Sequence, residues 1–544
     1  MRSALKQPLA HVDGPPLHNT DSMLWIADIP ALGAARNPER PAIIFPDRGE
    51  TLSYAELNRR SDALAAMLTN CGLRRGDRFA YLGRNSDLFL PVLFGAIRAG
   101  MTLLAINWRL AAPEIAYQLQ DSDSQLLFAD PDFMTTAAAA IKGLPTVQLV
   151  PTEAHAGEKT LRGWLKGSPA SDTATNSNSG GATLRDANQI VLLLYTSGTT
   201  GRPKGVQITH GALSLARHAE LLAGDLSHLE PSCTILSAMP SFHIGGLSWV
   251  LMGLVRMGTV VLTADPSAGN FLQLCRTYTV GHSFIVPSVI RMIVDELRTR
   301  GESAPKLKGI YYGAMPMDQQ LLQEVINRFS CPCVQFFGMT ENTGAATILS
   351  PQDHDLARPN LLRSVGKPYP GASFEIRAPD RRVLNCGEPG EIWIRSPTLM
   401  AGYANLPDKT NEVLVDGWYA TGDGGYLDAD GYLYLTDRVK DMIVSGGENV
   451  YPAEVEEVLR QHSAVADVAV IALADERWGE RVAAAIELRP GKQVTGEELL
   501  TFARQSLAGF KCPKELQFVA ALPRTASGKV QRALVRQQWS QISR

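Results

Sequence analysis

Residues 190–205, Ile-Val-Leu-Leu-Leu-Tyr-Thr-Ser-Gly-Thr-Thr-Gly-Arg-Pro-Lys-Gly, run from an apolar stretch straight into a polar loop. Ile190 to Tyr195 reads as a buried strand. Thr196 to Gly205 then supplies four hydroxyls, three glycines and a lysine in ten residues. Such a loop turns sharply, presents bare backbone N–H groups and adds hydroxyl donors around a polyanion, with Lys204 as a point charge. Its spacing, G-x-x-G-x-P-K-G, differs from G-x-x-x-x-G-K-[ST], so a Walker-type reading does not apply.

Downstream, apolar runs alternate with helical faces. Phe271 to Cys275 begins a helix pattern, His282 to Val286 a strand, and Ile290, Ile293, Val294 and Leu297 recur at helical spacing. Gly309 to Tyr312 is a strand, Leu321, Leu322, Val325, Ile326 and Phe329 mark a helix face, and Val334 to Phe337 returns as strand. This β-α-β-α-β succession predicts a largely parallel sheet covered by helices, with ligands beyond the strands' carboxyl ends. Gly313-Ala314-Met315-Pro316 and the turn expected at Phe337 to Glu341 fall there. In Phe336-Phe337-Gly338-Met339-Thr340-Glu341, an aromatic offers a face to a purine, a hydroxyl reaches a phosphate, and a carboxylate holds a hard cation. Tyr419-Ala420-Thr421-Gly422-Asp423 predicts an acid in a tight turn, suited to a ribose diol. Arg438-Val439-Lys440-Asp441 leads into Ser445-Gly446-Gly447, and Ser527-Gly528-Lys529 puts a lysine on a Ser-Gly tip.

In this order, from Thr196 to Lys529, the segments resemble the acyl- and aryl-CoA synthetase branch of the AMP-forming adenylating enzymes, a superfamily that includes carrier-loading adenylation domains and luciferases. The resemblance implies an α/β protein. A large N-terminal domain of doubly wound sheets with a small barrel-like subdomain would span 1–437, a hinge 438–440 centred on Lys440, and a small α+β lid 441–544. It implies a ligase that activates a carboxylic acid with ATP as an acyl-adenylate, releases pyrophosphate, and passes the acyl group to the thiol of CoA. A stand-alone enzyme loading a carrier-protein thiol stays open. Thr196, Ser197, Gly198, Thr199, Thr200, Gly201 and Lys204 would cradle the β/γ-phosphates. Gly313, Ala314, Phe337 and Gly338 would flank adenine, Asp423 and Arg438 would hold the ribose, and Thr340 and Glu341 would act at the reacting phosphate, with Glu341 holding Mg2+. Lys529 would bridge carboxylate and α-phosphate, Gly446 and Gly447 would wall the pantetheine channel, and His243 would line the acyl pocket. Phe337 stands where tyrosine is common and Asn342 where threonine or serine is common.

Composition agrees with a large enzyme that acts on small molecules. The 544 residues exceed what one core serves, and 45% are hydrophobic. Lys+Arg 52 against Asp+Glu 55 leaves a net charge of −3 without a basic block, which argues against nucleic acid as a partner. No apolar run is long enough to span a bilayer, including Leu247 to Leu254, and residues 1–20 lack a secretory core. Seven scattered cysteines predict free thiols and, with the rest, a cytoplasmic protein; a homodimer stays open. After Asp437 the pattern becomes helix from Pro452 to Leu459, strand Val465 to Leu473, strand Arg481 to Leu488, and a helix opened by a Thr495/Glu498 capping box. Ala170 to Gly181 reads as a surface loop. Small residues Gly245, Gly246, Gly344, Ala345 and Ala346 predict an acyl pocket larger than acetate needs. A medium- or long-chain fatty acid and an aryl or polycyclic acid both fit it.

Overall fold

Strand His282–Ile285, helix Pro287–Arg300, strand Gly309–Gly313, helix Gln319–Phe329 and strand Cys333–Met339 follow one another as read from the periodicity. The structure, a computed structural model, describes residues 9–17, 23–153, 159–167, 185–196, 203–226, 229–315, 317–438, 441, 443–445, 448–450, 452–475, 479–507, 509, 511–524 and 530–542. Pro287 opens its helix where a missing N–H costs nothing, and Gly301 closes it in the left-handed conformation at φ +63°. Asp318 caps the next helix by accepting from Leu321 N at 2.9 Å. The apolar faces of both helices, Ile290, Ile293, Val294 and Leu297 on one and Leu321, Leu322 and Val325 on the other, join one buried core.

The strands pair in parallel, His282 opposite Gly309 and Ile310 opposite Cys333. They belong to a nine-stranded sheet in the order Lys367–Pro368, Gly344–Leu349, Cys333–Met339, Gly309–Gly313, His282–Ile285, Thr234–Ser237, Thr259–Leu262, Pro41–Phe45 and Glu50–Ser53. Antiparallel pairs close both edges. A seven-stranded sheet runs Gly402–Tyr403, Lys204–Thr209, Ile190–Thr196, Thr102–Ile106, Arg78–Leu82, Ser124–Ala129 and Gln148–Pro151. Strand Ile190–Thr196 is buried as expected, parallel to Thr102–Ile106 and antiparallel to Lys204–Thr209, so the sheet flanks the polar loop on both sides.

The chain folds into two compact units. One comprises Asp13–Ser373 with Arg395–Tyr419, and holds both of these sheets. The other comprises Met1–Val12, Phe374–Ile394 and Ala420–Arg544. It contains most of a six-stranded sheet ordered His11–Asp13, Ser373–Arg377, Gly390–Arg395, Trp418–Leu427 and Leu414–Val415, with Leu433–Arg438 also paired to Trp418–Leu427, and a separate five-stranded C-terminal sheet. The predicted C-terminal elements are present as helix Pro452–Arg460, strands Val465–Asp475 and Gly479–Leu488, and helix Gly496–Arg504. Strands Ile443–Ser445, Glu448–Val450 and Glu515–Val519 and helix Arg532–Ile542 complete this module. Lys440 and the loop from Ala170 to Gly181 lie outside the described residues.

Helix Ile244–Val255 is buried almost along its whole length, which accounts for the apolar patch Leu247 to Leu254 without a bilayer. Among the described residues no helix is long and apolar enough to cross a membrane. All seven cysteines are free thiols.

The capping box is present in both directions. Thr495 Oγ1 accepts from Glu498 N at 3.2 Å, and Glu498 accepts from Thr495 N at 2.8 Å. Thr495→Ala is therefore expected to destabilise helix Gly496–Arg504 by about 1 kcal/mol. Hydrogen exchange of that helix in the full-length protein checks it: protection unchanged at Leu499 and Ala503 would show the cap contributes nothing.

Candidate functional site

Thr196 and Lys204 face each other in register at the mouth of the polar loop, one ending its strand and the other beginning the next. The stem is anchored from below. Tyr195 donates to Asp121 Oδ2 at 2.6 Å, Tyr117 donates to Pro203 O at 3.2 Å, and the two rings meet edge to face. Ser197, Gly198, Thr199, Thr200 and Gly201 lie outside the described residues.

Lys204 Nζ sits 4.8 Å from the centre of the Tyr403 ring. The hydroxyl of the same tyrosine donates to Glu341 Oε1 at 3.1 Å. Burial, reinforced by the charge on Glu341, pushes the Tyr403 hydroxyl well above its ordinary range, so it stays a donor. A cation and a carboxylate from two different sheets thus meet on one ring. Tyr403 was not among the residues expected from the sequence; nothing in Ala401-Gly402-Tyr403 marks it.

Glu341 owes its position to a forced hairpin. The chain does not turn at Phe337, as expected; strand Cys333–Met339 continues to Met339 and turns only at Thr340–Asn342. A bulge between Phe337 and Gly338 absorbs the extra residue, and only glycine fits there, because a Cβ on Gly338 would lie 2.0 Å from Gly344 O. Thr343 follows at φ +56°, held by its hydroxyl donating to Thr398 O at 2.7 Å. Asn342 is buried, donating to Ala345 O and accepting from Thr398 Oγ1. The departure at this position is therefore a structural bracket behind the glutamate. Met400 N donates to Glu341 O at 2.8 Å and completes the frame.

Gly313 ends its strand opposite Phe336, and a Cβ on it would lie 2.3 Å from Phe336 O. Ala314 leaves the strand at φ +66°. Phe336 packs on Tyr311 and Phe284, while Phe337, next along the strand and half-buried, points to the other face.

His243 precedes helix Ile244–Val255, with its ring 4.4 Å from that of Phe242. The tight approach to this helix requires Gly246, whose Cβ would lie 2.3 Å from Pro240 O. Asn85, buried and distant in sequence, clamps the segment. Its amide donates to Met239 O at 2.8 Å and Thr263 O at 2.9 Å, and its oxygen accepts from Ser241 N and Ser241 Oγ. Gly245 differs, since a Cβ there would meet the Phe284 ring at an ordinary 3.5 Å.

In the other unit Asp423 is not in a tight turn. It lies within strand Trp418–Leu427, opposite Arg438 on strand Leu433–Arg438. The reason is Gly422, at φ +72°, which lets the polar Thr-Gly-Asp string kink without leaving the sheet. Thr421 Oγ1 donates to Ile392 O and accepts from Asp423 N, and Gly422 N donates to Glu391 Oε1. Gly446, Gly447 and Lys529 lie outside the described residues.

Chemically, the larger unit brings together, among its described residues, the stem of the polar loop, a cation and a carboxylate within one tyrosine's reach. One protein carboxylate suits Mg2+, which keeps its remaining positions for water and phosphate oxygens. Among the described residues no group of three His, Cys, Asp or Glu could hold a metal by protein ligands alone.

Comparison with known proteins agrees with this geometry. Residues 32–404 match the model of the AMP-binding enzyme family, and residues 454–529 that of the AMP-binding enzyme C-terminal domain. The chain is 37% identical to the fatty acid–[acyl-carrier-protein] ligase ScoC of Streptomyces coeruleorubidus, covering 94% of this chain and 96% of that one. It is 35% identical to the indoleacetate–CoA ligase of Aromatoleum aromaticum, over 93% and 96% of the two chains. The o-succinylbenzoate CoA synthetase of Bacillus subtilis, solved with its acyl-adenylate intermediate, superposes with a TM-score of 0.80 at 30% identity, over 94% of this chain and 98% of its own.

Removing the Asn85 amide strands the buried Thr263 carbonyl, the part-buried Met239 carbonyl and the Ser241 donors at once. Asn85→Ala is expected to destabilise the protein by about 2 kcal/mol or more. A urea titration followed by tryptophan fluorescence measures this, and an unchanged midpoint would mean that Asn85 does not hold the turn before His243.

Proposed function

We propose that this chain, which belongs to the AMP-binding enzyme family, joins a carboxylic acid to the thiol of CoA through an acyl-adenylate. The observation that carries this reading is the meeting of Lys204 and Glu341 on Tyr403 at the mouth of the polar loop. An acid cannot be attacked by a thiol directly, because its oxide is a poor leaving group and its charge repels nucleophiles. Attack of the carboxylate on the α-phosphate of ATP forms the mixed anhydride and expels pyrophosphate. Two anions must come together for this, so neutralisation and positioning supply most of the catalysis.

Each assigned residue has a task in that reading. Thr196 to Gly201 and Lys204 hold the β- and γ-phosphates through backbone N–H groups, hydroxyls and one ammonium. Glu341 would hold Mg2+, which would draw charge from the phosphate oxygens. Thr340 lies beside it to donate to the α-phosphate. Gly313 and Ala314, with Phe337 and Gly338, would flank adenine, and Asp423 and Arg438 would bind the ribose hydroxyls. Lys529 bridges the two reacting anions. His243 closes the acyl pocket near the carboxylate. Module 441–544 serves as a lid that turns about Lys440 and exchanges Lys529 for the Gly446-Gly447 wall, admitting pantetheine for thiolysis.

The ATP- and magnesium-bound form of the Bacillus subtilis synthetase, 30% identical, supports the assignment of both cofactors. For the acid we propose a medium- or long-chain fatty acid or an aryl or polycyclic acid. The similarity to a fatty acid–[acyl-carrier-protein] ligase favours a second reading, in which a carrier-protein thiol replaces CoA.

Acid-dependent release of pyrophosphate, measured across a panel of carboxylic acids with ATP and Mg2+, tests the reading. Release without CoA and thioester formation with it are expected. Lys529→Ala and Glu341→Gln are each expected to slow release by about a hundredfold or more, and Tyr403→Phe by severalfold, with a raised requirement for Mg2+. Absence of release with every acid would overturn the proposal; release that yields thioester only on a carrier protein would replace CoA as acceptor.

A further inference from the structure

Helix His210–Leu222 buries an arginine and a glutamate one turn apart, Arg217 at 1% and Glu220 at 3% exposure. They form one contact, Arg217 Nη2 donating to Glu220 Oε1 at 2.5 Å. Buried charges are tolerated when their remaining donors and acceptors are also matched. Here they are not matched among the described residues. Arg217 Nε and Nη1, Glu220 Oε2 and the Tyr369 hydroxyl, all buried, find no hydrogen-bond partner there, and neither does Ser248 Oγ nearby. Arg217, Glu220 and Tyr369 border one small cavity, together with Ala345, Ser396 and Thr398. It has room for about one water-sized group.

The position of this cavity matters more than its size. Ala345 belongs to the small-residue run Gly344-Ala345-Ala346 expected to line the acyl pocket. A Cβ on Gly344 would lie 3.0 Å from Ser248 Oγ and 3.6 Å from Arg217 Nη2, so a single missing side chain brings the guanidinium to that wall.

We propose that Arg217, Glu220 and Tyr369 form the specificity end of the acyl pocket and select a carboxylic acid bearing one neutral oxygen, hydroxyl or oxo, remote from the reacting carboxylate. The inference rests on the ligase reading and narrows its substrate class. An oxygen in the cavity accepts from Arg217 Nε or Nη1 and from Tyr369, and a hydroxyl also donates to Glu220 Oε2. A plain alkyl or aryl end would exclude water from these atoms and pair with none of them. Burial holds the Glu220 carboxyl up at about 7, against the lowering effect of Arg217 and Arg256. A group that both donates and accepts therefore suits either of its protonation states.

The test compares pairs of medium-chain and phenylpropanoid acids that differ only by one remote hydroxyl or oxo oxygen, using pyrophosphate release by the full-length enzyme. The expected result is a kcat/KM ratio of about tenfold or more in favour of the oxygenated member of at least one pair. That ratio is expected to fall toward unity in the apolar double variant Arg217→Leu/Glu220→Leu. Tyr369→Phe removes one hydroxyl alone, and is expected to lower the ratio severalfold; it decides the matter if the double variant does not fold. Equal use of both members of every pair, or a ratio unchanged in Tyr369→Phe and in a folded double variant, would overturn the inference while leaving the ligase reading intact. Failure of every acid to release pyrophosphate would overturn both.

Discussion

The contact on which the larger unit's site depends is the Tyr403 ring, which takes an ammonium on its face and a carboxylate on its hydroxyl. Lys204 belongs to the seven-stranded sheet and Glu341 to the hairpin that edges the nine-stranded one. Left to themselves, these opposite charges would pair directly and neutralise the site before a phosphate arrived. The aromatic ring gives each of them a neutral contact of its own. A cation over an aromatic face is held by about 0.5–2 kcal/mol, strong enough to orient the lysine and weak enough to yield it to a polyanion. The neutral hydroxyl engages one carboxylate oxygen of Glu341 by donating to it.

That arrangement in turn needs backbones to approach closer than side chains permit. Gly338 lets strand Cys333–Met339 bulge against Gly344, and Gly313 lets its strand end against Phe336 O. Both close approaches occur at the carboxyl ends of adjacent parallel strands, where helices and loops leave the sheet open. Asn342, Thr343 and Thr398 then tie the turn together through three side-chain hydrogen bonds. The same residues therefore stabilise the hairpin and aim Glu341.

The fold was legible wherever local patterning and tertiary burial agree. Helices Pro287–Arg300 and Gln319–Phe329 appear in the sequence as 3.6-residue periods and in the structure as the faces of one core. Thr495 and Glu498 advertise their helix because a capping box is wholly local. Lys204 and Glu341 were legible because each sits in a dense motif. Tyr403 and Asn85 were not: their partners are 62 and 156 residues away, and nothing in the intervening chain encodes the meeting. Asp423 was legible as an acid near Arg438 but misplaced as a turn residue, since Gly422 signals a positive φ without saying whether the strand ends or kinks.

Arg217 shows the same limit in another form. On a helix that reads as half polar, an arginine three residues before a glutamate looks like a solvated pair; only burial makes it costly, and only the cavity gives that cost a use. Its location also separates two demands on the protein. Thr196, Lys204, Glu341 and Gly313 sit at strand ends whose backbone geometry tolerates little change. Arg217 and Glu220 are side chains projecting from a helix interior, where exchange for apolar residues of similar volume preserves the backbone. A scaffold arranged this way can change the acid it accepts without disturbing the groups assigned to activating it. Relatives of this chain carry names that specify fatty, indolic and succinylbenzoic acids, a spread that such a division of labour would accommodate.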